Sequence, residues 1–317
     1  MRGLTTSNAA PSATSAGDGR ATAAAISCYL IWGLIPLVFQ RLGHMGAGAW
    51  EILAHRTLWG APAALVFVLW TRQGDAALGL IRQPRTLGWL ALSAALIAVN
   101  WSTFILAVNS GHVLETSLGY FILPLINMAA GALIFGERLD RRGALAIGLA
   151  AAGVVLQAVA IGHLPLVALI LAVSFGGYGV VRKRVAADAQ TGLLIECLLL
   201  AIPSSLFVVW LQSHGSGHFG RGLPISAGLV ACGPITAVPL VLYAWSARRI
   251  PLSAMGFLQF ITPTMTFVIG VLQGEVFSPL RGVSFALIWT GVAVFALGAW
   301  RRSRLVLQAA AEAAPAQ

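Results

Sequence analysis

Ten times along this chain an apolar run is followed by a short polar break. Each run is close to the roughly 20 residues that a helix needs to cross the hydrocarbon layer of a bilayer. Inside hydrocarbon the backbone must satisfy its own hydrogen bonds, so runs of this kind are expected to be helical throughout. The spans read as 22–40, 51–70, 86–107, 115–136, 143–161, 165–183, 191–211, 225–246, 254–274 and 282–300. Breaks this short make consecutive helices antiparallel neighbours in one bundle, and even the long ones, 71–85 and 212–224, leave no room for a soluble domain. The expected fold is an all-α integral membrane protein. Composition agrees, because 58% hydrophobic and 9% charged residues exceed what a soluble core can bury and fall short of what a soluble surface needs.

The basic residues give the orientation. Sixteen of the twenty fall in segments that are cytoplasmic if the N-terminus is, and three (Arg41, Arg221 and Arg281) fall in the opposite segments; Arg56 lies within a span. Both termini are thus expected in the cytoplasm of a bacterium, as tails at 1–21 and 301–317 flanking a multi-pass protein of the plasma (inner) membrane. The net charge of +10 reports this topology and not nucleic-acid binding. The first run is too long for a signal peptide and continues into Gln40 and Arg41. Cys28, Cys197 and Cys232 stand singly in apolar runs, so no disulfide framework, metal site or cofactor is called for.

The second half echoes the first. Tyr120, Pro124, Asn127 and Gly131 recur as Gln259, Pro263, Thr266 and Gly270, each 139 residues later, and each set forms one stripe of a helix. Both spans end in Gly-Glu, at Gly136-Glu137 and Gly274-Glu275. Five spans per half is an odd number, so repeats at 22–161 and 165–300 would lie in the membrane in opposite orientations, with a site between them. Trp32-Gly33 with Pro36, Gly176-Gly177, Pro124 and Pro263 are candidate points of helix bending, and close helix packing through the glycines is the other reading.

Charges inside spans mark candidate sites, because a charge facing lipid is costly. Glu51 and His55 stand one turn apart on one helical face with Arg56 about 100° further round. Glu196 is a lone intramembrane carboxylate, related to His55 by a shift of 141. These four are the candidates for substrate binding or proton coupling, with Tyr120, Asn127, Gln259 and Thr266 as hydrogen-bonding partners of a ligand. An interfacial ion-pair knot at Glu51–Arg56 and polar glue between helices are the structural alternatives. Glu115, Asn100 and Asn109 are weaker candidates.

The segments YLIWGLIPLVFQRL (29–42), EILAHRTLW (51–59), NSGHVLETSLGYFILPLINM (109–128) and GPITAVPLVLYAWSARRIPLSAMGFLQFITPT (233–264) resemble the RarD group of EamA-type transporters, in the drug/metabolite transporter superfamily. The resemblance spans about residues 22–300. It implies ten helices in two inverted five-helix repeats and secondary export or exchange of a small metabolite or drug-like molecule, with protons as a candidate coupling ion. It implies no established set of binding residues. The rival readings are an intramembrane enzyme using His55 with Glu51 or Glu196 as acid and base, and a sensor that binds without transport. Neither HExxH nor GxSxG occurs to support the first.

Overall fold

The computed structural model describes residues 15–135, 141–247, 249 and 258–312, without the side chains of 15–18, 124, 127–135, 161, 183, 244, 247, 296 and 299–312. All its regular structure is helical. In chain order the helices are α1 (Ser15–His44), α2 (Ala49–Trp70), α3 (Gly74–Ile81), α4 (Pro84–Asn109), α5 (Val113–Phe135) and α6 (Arg141–Ile161). They continue with α7 (Leu166–Arg184), α8 (Ala189–Ser213), α9 (Leu223–Ala247), α10 (Ile261–Leu272) and α11 (Pro279–Glu312). Among the described residues six helices are long and apolar enough to cross a membrane: α1, α2, α4, α6, α8 and α9. Shorter apolar stretches lie in α5, α7, α10 and α11.

Polarity is distributed inside out relative to a soluble protein. Val66, Leu69, Trp70, Ile202 and Leu206 are more than half exposed, whereas Glu51, Arg56, Asn100 and Glu196 are buried. Outward apolar side chains and inward polar ones are what a lipid solvent selects. The chain is a multi-pass membrane protein.

The most extensive packing joins α1 to α9 and α10, α2 to α8 and α9, α4 to α7 and α8, α5 to α7 and α10, and α6 to α11. Exchanging α1, α2, α4, α5 and α6 for α7, α8, α9, α10 and α11, in that order, maps this set of pairings onto itself. One pair of contacts repeats the exchange at atomic scale. A Cβ on Gly153 would stand 2.9 Å from the Ser284 carbonyl, and a Cβ on Gly291 would stand 2.9 Å from the Ala146 carbonyl. Glycine is required at both places because the neighbour is backbone, which cannot rotate away.

Three features depart from the sequence reading. Helix α1 begins at Ser15, inside the stretch read as a tail, and α11 continues to Glu312 through the second one. Helix α3 was not expected. Gln73 precedes it and Pro84 opens α4 after it, and its Ala77 and Leu80 are buried against α4 and α8.

Candidate functional site

Arg56 occupies the seam where α2 meets α9. Its guanidinium lies 4.0 Å above the ring of Trp101 in α4 and 5.5 Å from that of Phe39 in α1. Nε donates to Thr236 Oγ1 at 3.0 Å, and the Thr236 hydroxyl in turn donates to the Cys232 carbonyl at 2.9 Å. The residue is 7% exposed. Its terminal nitrogens donate to no described atom. Tyr120, Cys232 and Cys197 are its ionisable neighbours, none of them a carboxylate.

Glu51, one turn before His55, faces elsewhere. Its carboxylate accepts from the His218 backbone at 2.6 Å and lies 2.8 Å from His218 Nδ1, which ties the α8–α9 connection over the end of α2. His55 stacks on Phe219 of the same connection at 5.1 Å, and its Nδ1 accepts from Trp59 Nε1 at 3.3 Å. His55 Nε2 is buried without a hydrogen-bond partner. The three neighbours in sequence thus serve two places, a strap at Glu51 and His55 and a seam at Arg56.

Glu196 in α8 is fully engaged. Ser93 of α4 donates to Oε1 at 2.6 Å, Tyr178 of α7 donates to Oε2 at 3.2 Å, and Arg182 Nη1 lies 3.7 Å away. Gly192 leaves the room that the Arg182 guanidinium fills. The carboxylate that stands alone in the sequence is the node of a three-helix network.

Between these places Tyr120 donates to Asn100 Oδ1 at 3.2 Å, and Asn100 Nδ2 donates to the Leu171 carbonyl at 3.0 Å and to Ser174 at 3.2 Å. This chain links α4, α5 and α7.

The EamA-like transporter family model matches residues 20–159. Protein RarD of Escherichia coli strain K12 is 40% identical over 277 residues, covering 87% of this chain and 93% of that protein. An uncharacterized transporter of Vibrio cholerae is 38% identical over 275 residues, covering 86% of this chain and 90% of its own length. The chain belongs to the RarD group of EamA-type transporters. A third relative, the chloramphenicol-sensitive protein RarD of Pseudomonas aeruginosa, is 32% identical over 261 residues, covering 81% of this chain and 86% of that one. A solved crystal structure at 21% identity superposes with a TM-score of 0.59 over 89% of this chain and 98% of its own, a likeness of fold.

In this RarD-group chain the α10 stripe lies against α5. Ser117 donates to the Pro263 carbonyl at 2.8 Å, and a Cβ on Gly270 would stand 2.9 Å from the Leu114 side chain. Thr266 is buried and donates to the Thr262 carbonyl at 3.0 Å, while Gln259 is half-buried. The side chains of Pro124 and Asn127 lie outside the described residues. Gly33 brings α1 onto Met265, Trp32 packs edge-on to Tyr29, and Gly177 faces Leu96. Pro36 and Gly176 are buried within helices that continue through them.

Two groups of residues were not foreseen. Gln40 and Gln273 exchange amide hydrogen bonds at 2.9 and 2.7 Å, joining α1 to the end of α10. Gly274, at φ +78°, ends α10 in a turn where the Glu275 amide bonds back to the Gly270 carbonyl. That turn aims the Glu275 carboxylate at the amides of Val113 and Leu114, capping α5 at 2.5 and 3.0 Å. The repeated Gly-Glu pair was the available signal.

Proposed function

We propose that this chain is a secondary transporter that moves a small molecule across the bacterial inner membrane by alternating access, as an exporter or exchanger. Its ten spans form two inverted repeats, α1, α2 and α4–α6 against α7–α11, with both termini cytoplasmic. The exchange of packing partners and the reciprocal Gly153 and Gly291 contacts support the repeat. The sixteen-to-three distribution of basic residues supports the orientation. Arg56 carries the functional reading. It is a buried cation with free donors at the seam between a helix of one half and a helix of the other, where a ligand would be reached from either side in turn.

The two ends of the bundle supply the closures. Gln40–Gln273, Glu275 on α5 and Glu51–His218 close one end, and the Glu196–Ser93–Tyr178–Arg182 network closes the other. Glu196 is the proposed proton site, because protonation would weaken the links that hold α4, α7 and α8 together. The acid–base enzyme finds no support in the geometry, since His55 is hydrogen-bonded to neither Glu51 nor Glu196.

Counterflow in sealed proteoliposomes tests the reading. Labelled compounds should accumulate against unlabelled internal pools, and accumulation should vanish when the vesicles are made leaky. Conversion of a compound in detergent solution, without vectorial uptake, would refute transport in favour of an enzyme.

A further inference from the structure

Taken out of water, a guanidinium carries a penalty that persists unless its donors are answered. Around Arg56 the answers are incomplete. Thr236 takes one N–H, and Trp101 and Phe39 supply π faces. The carboxylates within reach by sequence are occupied, Glu51 by His218 and Glu196 by Ser93 and Tyr178. Tyr120, Cys232 and Cys197, the ionisable neighbours, are types that are ordinarily uncharged at neutral pH. The two terminal nitrogens have no hydrogen-bond partner among the described residues, and together they form the fork that a carboxylate fits with two parallel hydrogen bonds.

We infer that the ligand of this seam is a small organic monocarboxylate, its carboxylate on the Arg56 fork. The inference rests on the transporter reading for its consequence and on the Arg56 geometry for its content. It disfavours cationic drugs, because no free acidic side chain faces this seam among the described residues. It also ranks an amino acid below the deaminated acid of the same skeleton. An added ammonium group would meet Arg56 as a like charge, and the Asn100 oxygen is already taken by Tyr120.

The test pairs binding with transport. Purified protein is heated in detergent with benzoate, 3-phenylpropionate, phenylalanine, benzamide or phenethylamine, and the same compounds are used for counterflow. The two monocarboxylates should stabilise the protein most and should exchange. Arg56→Lys keeps the charge but loses the fork, and should weaken their binding roughly 10- to 100-fold. Arg56→Gln should abolish it; if that variant does not fold, the lysine variant decides. Arg56-dependent stabilisation by monocarboxylates without counterflow of any compound would support the ligand class and overturn the transport reading. Counterflow of phenethylamine or benzamide that survives Arg56→Lys would overturn the ligand class and leave transport standing. A folded protein that no monocarboxylate stabilises would overturn the ligand class outright.

Discussion

Replacing Gly233 with alanine should damage the Arg56 seam without touching Arg56. A Cβ at this position in α9 would overlap the Trp59 carbonyl and lie 2.8 Å from the Trp59 Cβ in α2. Carbon atoms settle at about 3.5 Å or more and the carbonyl stands closer still, so the helices must part by at least roughly 0.7 Å. One turn along the same seam, Arg56 Nε and Thr236 Oγ1 are 3.0 Å apart. The same parting would stretch them to about 3.7 Å, beyond a hydrogen bond. Overpacking of this kind costs about 1–3 kcal/mol, and loss of a hydrogen bond to a charged group about 1.5–3 kcal/mol. Thr236→Val removes only the second contribution. Cys28, Cys197 and Cys232 are all buried, so a thiol-reactive fluorophore added during heating reports unfolding directly. The expected order of stability is wild type, then Thr236→Val, then Gly233→Ala. The double variant should be less destabilised than the sum, because the hydrogen bond can be lost only once. A Gly233→Ala protein at least as stable as Thr236→Val would refute the argument that this contact sets the helix separation.

Four further outcomes follow from the ends of the bundle. Ser93→Ala leaves the Glu196 carboxylate without its shortest hydrogen bond and should lower thermal stability by about 1.5–3 kcal/mol; Glu196→Gln should remove any effect of a proton gradient on counterflow while uptake itself persists. Cysteines at Gln40 and Gln273, joined by a short bifunctional reagent, should arrest counterflow, and reduction of a cleavable link should restore it; unimpaired transport in the cross-linked protein would show that this end does not open. Burial raises the pKa of Glu275 above its ordinary value of 4.5, against the opposing pull of the Val113 and Leu114 amides. A carboxyl raised by folding stabilises most when protonated, so wild-type stability should fall as pH rises from the ordinary value through the raised one, and Glu275→Gln should flatten that part of the profile.

The places of the apolar helices were readable from the sequence because a bilayer demands long apolar runs, although their lengths were not: α1 has 30 residues where 19 were expected. Each of the ten apolar runs has a helical counterpart, although α10 is described only from Ile261. Helix α3 was not readable, because eight residues are too few for a clear period and its burial against α4 and α8 is a tertiary event. The stripe of Pro263, Thr266 and Gly270 was legible as one helical face. Its use was not, since a face of small and polar residues packs a helix as well as it binds a ligand, and here it packs on α5.

The candidate site shows the same limit from the other side. A sequence reveals that a charge is inside the membrane but not whether its hydrogen-bonding capacity has been met. Glu196 drew attention because nothing polar stands beside it in the chain, yet Ser93, Tyr178 and Arg182 reach it from two other helices. Arg56 looked like part of a cluster with Glu51 and His55, yet it turns to α9 and is left with free donors. A met charge at the end of a bundle holds helices together and can be released by a proton. An unmet charge at the seam between halves is a place for something that arrives and leaves. On the proposed transport reading these two residues divide the work of a transporter, and the division gives a direct experimental contrast. Substitution of Arg56 should change which compounds bind, whereas substitution of Glu196 should change how transport responds to pH and leave the order of preference among compounds intact. If Glu196→Gln reordered the preferred compounds, the site would have to be moved from the α2–α9 seam to the α4–α7–α8 network.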